Sequence, residues 1–74
     1  MLVRAENRSN KVIIFDFTTP VRCDIYQTLD FRMNNEELEK FKLYLKDLCL
    51  RLELSYKENK QKIGEIEVII FILR

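Results

Sequence analysis

The side chains that could perform catalytic chemistry are few in this 74-residue sequence, and histidine is absent. Without histidine the chain lacks the commonest general base, the Ser-His and Cys-His nucleophile pairs, and the ligand of most zinc sites. The single glycine, Gly64, leaves no phosphate-binding loop of the P-loop or dinucleotide-binding kind. These absences predict a protein that is not an enzyme and that carries no cofactor.

The two cysteines, Cys23 and Cys49, are poor candidates for catalysis. Cys23 lies on the apolar face of a predicted strand and Cys49 beside the apolar stripe of a predicted helix, where burial raises the pKa of a thiol. Their number and spacing fit neither a C-x-x-C motif nor a disulfide-stapled mini-protein. We therefore interpret both as reduced core residues of a cytoplasmic protein.

Carboxylates are the other groups that could act as catalysts or metal ligands. Asp24 and Asp30 share a strand face but are about 20 Å apart along it, which is too far for an acid–base pair. Glu65 and Glu67 are neighbours, yet two carboxylates without further oxygen ligands make a poor cation site. Asp16 ends an apolar strand and is expected to accept a hydrogen bond from a nearby hydroxyl or backbone amide. The sequence predicts no metal site.

Basic and aromatic side chains suggest an alternative function, the binding of single-stranded nucleic acid. One face of a predicted strand carries Arg22, Tyr26, Thr28 and Arg32. Sheet-based binders of single strands use this mixture of cations and aromatic rings. A second basic group would lie at one end of the molecule, formed by Lys57, Lys60 and Lys62 with Lys11 nearby. Carboxylates interrupt the first row and the net charge is only +1, so this function is not favoured.

Hydrophobic periodicity predicts the strands that position these residues. Residues 11–17 (KVIIFDF) are typical of a strand covered on both faces. Residues 21–32 (VRCDIYQTLDFR) alternate between apolar and polar, which predicts one long strand paired with the first as a hairpin. Thr18, Thr19 and Pro20 supply the turn. Residues 1–10 are expected to form a polar lead-in or a short edge strand.

A single amphipathic helix follows the hairpin. Asn34 is the predicted N-cap, and Glu37 completes a capping box. One apolar stripe consists of Leu38, Phe41, Leu45, Leu48 and Leu52. We expect the helix to end near Arg51, followed by a strand over 52–58, a turn over 59–62 and a strand over 65–73. The alternative is a helix that continues to Gly64, which would be about 42 Å long and large for such a domain.

Together these elements predict one α+β domain over residues 11–74. Its small antiparallel sheet has about four strands, with one amphipathic helix on one face, in the order β-β-α-β-β. The longest uncharged apolar run, residues 68–73, is too short to cross a membrane, and residues 1–10 contain no apolar segment typical of a signal peptide. We therefore expect a cytoplasmic protein without a membrane partner.

The main functional hypothesis comes from an apolar content that this fold does not bury easily. Hydrophobic residues make up 47 % of the chain, whereas one helix covers only one face of a sheet. Either Val12 and Ile14 or the opposite face of their strand (Ile13, Phe15 and Phe17) should be exposed, and so should one side of the last strand. Leu43 and Leu50 should be exposed on the outer side of the helix. The sequence thus predicts a protein-interaction domain, a homodimeric regulator, inhibitor or accessory subunit that binds itself or another protein.

Overall fold

The computed structural model describes all residues from Met1 to Arg74 and contains one helix and six strands. The elements in chain order are β1 (Leu2–Asn7), β2 (Ile13–Phe15), β3 (Val21–Cys23), β4 (Thr28–Arg32), α1 (Asn35–Leu52), β5 (Tyr56–Ile63) and β6 (Ile66–Leu73). Four strands form a sheet in the order β4-β1-β6-β5, and β2 with β3 forms a separate two-stranded ribbon. The predicted α+β class, with a four-stranded sheet and one helix, is confirmed.

Strand β1 lies inside the sheet rather than at its edge or in a lead-in. It pairs antiparallel with β4, where Leu2 is opposite Arg32, and parallel with β6, where Leu2 is opposite Val68. The sheet is therefore mixed, and the prediction of a purely antiparallel sheet was wrong in this respect. Alternate residues of β1 are polar, such as Arg4 and Glu6, and such alternation does not reveal how many neighbours a strand has.

The predicted long strand over residues 21–32 is interrupted by a turn between β3 and β4. Tyr26 adopts a left-handed conformation in this turn, with φ of 64°. Its N–H donates to the Asn7 carbonyl at 2.8 Å, and the Gln27 N–H donates to the Asp24 carbonyl at 3.0 Å. The predicted hairpin partner is correct only for β3, which pairs with β2, whereas β4 pairs with β1.

Helix α1 has the predicted start and the shorter of the two predicted lengths. The Asn34 side chain accepts from the Glu37 N–H at 2.8 Å, and the Glu37 side chain accepts from the Asn34 N–H at 3.1 Å, which confirms the capping box. The helix ends at Leu52 and is capped by Glu53, whose φ of 57° is left-handed. The alternative of a helix that continues to Gly64 is wrong. No helix in the structure is long and apolar enough to cross a membrane.

The last hairpin is shifted toward the C-terminus relative to the prediction. Its turn lies at Gly64 and Glu65, between the paired residues Ile63 and Ile66, and not at residues 59–62. Gly64 has a positive φ of 62°, a conformation that costs glycine nothing and other residues more. The only glycine of the chain thus determines where this hairpin reverses.

The core lies between the sheet and a second layer formed by α1 and the ribbon. All five phenylalanines meet there, with ring centroids 5.4–6.1 Å apart for neighbouring pairs. They come from β2 (Phe15), the segment after it (Phe17), β4 (Phe31), α1 (Phe41) and β6 (Phe71). The ribbon therefore covers the part of the sheet that one helix leaves open.

Most of the apolar excess is buried within the single chain. Ile13 and Phe15 point into the core, so the exposed face of β2 is that of Val12 and Ile14. From Val68 onward, strand β6 is covered on both faces, because Val68 and Ile70 lie on the face away from α1 and are only 0 % and 6 % exposed. The expectation that one side of this strand is exposed was wrong for these two residues.

No layer lies over Val68 and Ile70, so their burial comes from neighbouring strands. In register with them stand Leu2 and Arg4 on β1, and Gln61 and Asn59 on β5. Same-face neighbours in adjacent strands are close enough for their long side chains to lie over a central isoleucine or valine.

One buried polar side chain, Asn7, organises the junction between β1, the ribbon and the turn before β4. Its Nδ2 group donates to the backbone carbonyls of Lys11 (2.8 Å), Cys23 (3.2 Å) and Asp24 (3.2 Å). Its Oδ1 atom accepts from the N–H (3.1 Å) and hydroxyl (2.6 Å) of Ser9. Because Asn7 is fully buried, its side-chain amide depends on these protein partners, and not on water, for its hydrogen bonds.

We predict that Asn7→Ala lowers the free energy of unfolding by about 2–4 kcal/mol, because it removes the five side-chain hydrogen bonds that join β1 to the ribbon and to the segment before it. Urea unfolding followed by circular dichroism measures this change. Asn10→Ala, at an exposed position three residues later, is the matched control and should change stability by less than about 0.5 kcal/mol. Equal effects of the two substitutions would contradict the role of Asn7.

Candidate functional site

The carboxylates considered from the sequence are spread over the surface. Asp24 pairs with Arg22 at 2.6 Å, and Asp30 pairs with Arg4 at 2.8 Å. The hydrogen bond from the Arg4 side chain lowers the pKa of Asp30. No group of three or more His, Cys, Asp or Glu side chains lies close enough together to hold a metal ion.

Asp16 does not have the hydrogen bond expected from the sequence. Its side chain is exposed, so water solvates the carboxylate and no hydroxyl or amide partner is required. Only its backbone is engaged, since the Asp16 N–H donates to the Tyr44 hydroxyl oxygen at 2.7 Å. This bond ties the ribbon to α1.

Both cysteines are buried and free, and burial is the main cause of a raised pKa for each thiol. For Cys23 the negative charge of Asp24 raises the pKa further, while the hydrogen bond from the Asn7 backbone lowers it. A thiol held in its protonated form is a poor nucleophile.

The residues of the predicted nucleic-acid surface do not share one surface. Arg22 lies on the ribbon, where it pairs with Asp24, whereas Arg32 ends β4 in the main sheet. Tyr26 lies between them in the turn and is 76 % exposed. Because the predicted strand is interrupted by a turn, its evenly spaced polar residues lie in two different sheets.

The three lysines of β5 are divided between its two faces. Lys57 lies opposite Ile72 on the face away from α1, whereas Lys60 and Lys62 alternate onto the other face. These positions do not combine with Arg22 or Arg32 into a continuous basic stripe, and binding of single-stranded nucleic acid stays a prediction.

The four predicted partner-binding residues are exposed, in two separate patches. Leu43 and Leu50 lie two turns apart on the outer side of α1 and are 71 % and 74 % exposed. Val12 and Ile14 lie on the outer side of the ribbon.

Sequence reasoning missed a third exposed apolar patch at the tip of the last hairpin. Ile63 and Ile66 are paired across the turn, and both are more than half exposed. The signal that could reveal them is the pair of isoleucines that flank the only Gly-x turn of the chain.

Sequence reasoning also missed an aromatic groove, because its residues come from distant parts of the chain. The aromatic groove has a volume of about 410 Å³ and lies between the first half of α1, the end of β4 and the segment after β2. It is lined by Phe17, Phe31, Arg32, Met33, Glu37, Lys40, Phe41 and Tyr44. A neighbouring cavity of about 480 Å³ shares Arg32, Met33 and Glu37 with it.

We predict that neither thiol reacts with a disulfide reagent at pH 8 while the protein is folded, because both are buried and protonated. Reaction with Ellman's reagent should be at least about 100-fold slower in buffer than in 6 M urea, since it requires opening of the core. Stoichiometric reaction within the mixing time in buffer would contradict this burial.

We predict that Tyr26→Gly raises the free energy of unfolding by about 1 kcal/mol, because glycine adopts the left-handed φ of 64° without the Cβ clash. Tyr26→Ala keeps the Cβ atom and serves as the matched control, with no gain expected. Thermal unfolding of the three proteins measures the difference. Equal stability of the two variants would show that the turn carries no strain.

Comparison of the chain with protein-family models, with curated proteins and with solved structures gives no match.

Proposed function

We propose that this chain is a small non-enzymatic protein-interaction domain that acts as a homodimer through the outer face of α1. The observation that supports this proposal is the exposure of Leu43 and Leu50, the two most exposed aliphatic side chains of the molecule. Both leucines lie on the side of α1 opposite its buried stripe, so they do not contribute to the core. Their burial against a second copy would remove apolar surface from water.

The charges beside the two leucines favour a parallel arrangement of the paired helices. Lys46 and Asp47 lie at the same height on α1, on opposite sides of the line through Leu43 and Leu50. In a parallel two-fold pair, opposite flanks of the two helices meet, so Lys46 of each copy approaches Asp47 of the other. An antiparallel pair would instead bring Lys46 near Lys46 and Asp47 near Asp47.

The proposed interface is small, because it contains two leucines and two flanking charges from each copy. Interfaces at the low end of the size range form weak or transient complexes. We therefore expect a dissociation constant on the order of 10–100 µM. Such a dimer would respond to changes in the concentration of the protein, as a regulator or accessory subunit requires.

We predict that Leu43→Glu and Leu50→Glu each abolish self-association and leave the urea unfolding midpoint unchanged, since both positions are exposed. Light scattering over a hundredfold concentration range measures the mass. Ile14→Glu, on the separate ribbon patch, is the matched control and should dimerise normally. A wild-type protein that stays monomeric at 1 mM, or a dimer that only Ile14→Glu disrupts, would overturn the proposal.

A charge exchange tests the parallel arrangement separately. Lys46→Asp should weaken the dimer roughly tenfold, because it places two carboxylates together twice in each dimer. The double variant Lys46→Asp/Asp47→Lys restores both opposite-charge contacts and should recover the wild-type dissociation constant. If the double variant is no tighter than Lys46→Asp alone, the helices do not pair in parallel.

A further inference from the structure

Strand β5 is an edge of the main sheet, and one side of its backbone has no partner. It pairs with β6 alone, from Tyr56 opposite Leu73 to Ile63 opposite Ile66. None of the backbone hydrogen bonds outside the helix and the strand pairs involves residues 56–63. An edge of this kind can accept a further strand.

The register shows which backbone groups of β5 point to the free edge. Just before the strand, Ser55 and Arg74 donate a backbone hydrogen bond to each other, at 3.0 Å and 2.9 Å. In an antiparallel pair, residues that exchange such bonds alternate with residues that do not. The residues that bond to β6 are therefore Lys57, Asn59, Gln61 and Ile63. The residues whose N–H and C=O groups point to the free edge are Tyr56, Glu58, Lys60 and Lys62.

The side chains along this edge carry an excess of unpaired positive charge. Three exposed lysines form no ion pair in the molecule, and these are Lys57, Lys60 and Lys62. The only carboxylate of β5, that of Glu58, is contacted by Lys42 of α1 at 3.6 Å. Glu67 stands opposite Lys62, but it lies on β6 and not at the free edge. An added strand would therefore meet three lysines and no uncontacted carboxylate on β5.

These charges disfavour a second copy of the chain as the added strand. Each β5 carries three lysines and one glutamate, so two copies would bring together six lysines and two glutamates. Like charges on facing strands are destabilising, and lysines on edge strands commonly prevent self-pairing. A strand that carries carboxylates would instead gain opposite-charge contacts at the same positions.

We propose that the free edge of β5 binds an extended acidic segment of another protein, which adds to the main sheet as a fifth strand. Its backbone pairs with the outward N–H and C=O groups of β5. Its carboxylates lie beside Lys60 and Lys62 on the α1 side of the sheet and beside Lys57 on the opposite side. In this mode of recognition the main-chain bonds supply affinity and alternate side chains supply specificity.

This site goes beyond the proposed dimer and does not depend on it. The dimer uses exposed leucines on the outer face of α1, whereas the acidic segment pairs with backbone groups at the edge of the sheet. Leu43→Glu, which should abolish the dimer, is therefore expected to bind the acidic segment about as tightly as the wild-type protein. Failure of one proposal leaves the other in place.

The probe is the capped octapeptide Val-Glu-Thr-Glu-Val-Thr-Glu-Val. In an antiparallel alignment that starts opposite Ile63, its glutamates lie opposite Lys62, Lys60 and Lys57. We expect a dissociation constant on the order of 100 µM, since a short peptide loses much conformational freedom on binding. The same peptide with glutamine at each glutamate is the matched control. It should bind about tenfold more weakly, because three exposed ion pairs are lost.

Amide hydrogen exchange, read residue by residue by NMR, measures the pairing. In the free protein the four outward amides of β5 should exchange faster than the four that bond to β6. At 1 mM acidic peptide the outward amides should exchange about tenfold more slowly, since about nine-tenths of the protein is then bound. No saturable binding up to several millimolar, equal affinity of the two peptides, or no new protection at the outward amides would overturn the proposal.

Substitutions at one position separate the backbone bonds from the charge. Lys60→Pro removes an outward N–H without breaking the ladder with β6 and should abolish binding of both peptides. Lys60→Gln should weaken binding of the acidic peptide about threefold and leave the glutamine peptide unchanged. Lys40→Gln makes the same charge change at an exposed position of α1 and should bind as the wild-type protein does. Equal losses in the two glutamine variants would show that only net charge attracts the peptide, which contradicts the proposal.

Two other occupants of this edge would give different results. If the outward amides become protected without peptide as the concentration of Leu43→Glu rises, the added strand is a second copy of the chain. If an eight-nucleotide oligothymidylate binds more tightly than the acidic peptide and leaves the outward amides unprotected, the lysines bind nucleic acid. Either result would overturn the proposal.

Discussion

The contact among the five phenylalanines is the interaction on which the rest of the structure depends. Phe15, Phe31, Phe41 and Phe71 come from the ribbon, the edge of the sheet, the helix and the centre of the sheet, and their rings lie within about 6 Å of their neighbours. In a chain of 74 residues, which buries a modest share of its surface, one such cluster must join both layers. Without it the short ribbon would have nothing to pack against, because isolated two-stranded hairpins are marginally stable.

The second layer has two different parts, the ribbon and α1, and their arrangement accounts for the main features of the surface. Where the ribbon meets α1, the two do not close completely over the rings, which leaves the aromatic groove beside Phe41. Asn7 supports the other end of the ribbon through its bonds to three backbone carbonyls. The outer side of α1 faces away from all strands and carries Leu43 and Leu50. The groove and the helix face are thus distinct surfaces of the same layer.

Local signals in the sequence predicted the helix and strands better than they predicted which of these elements lie next to one another. The capping box of Asn34 and Glu37 and the apolar stripe of α1 each depend on residues within a few turns of one another, and both are present. The alternation over residues 21–32 continued through a turn that Tyr26 makes in a left-handed conformation, so periodicity did not detect the break. As a result, Arg22 and Arg32 were placed on one strand, while the structure has them in separate sheets.

The sequence by itself determined the α+β class, the start of the helix and the exposure of Leu43 and Leu50, because helical periodicity and capping are local properties. Only the tertiary structure decided that β1 pairs in parallel with β6, that the ribbon covers the core and that Val68 is buried on a face without a second layer. These outcomes depend on contacts between residues far apart in the chain. Hydrophobic pattern reports which side of a strand is apolar, but the partner that covers this side is set by long-range packing.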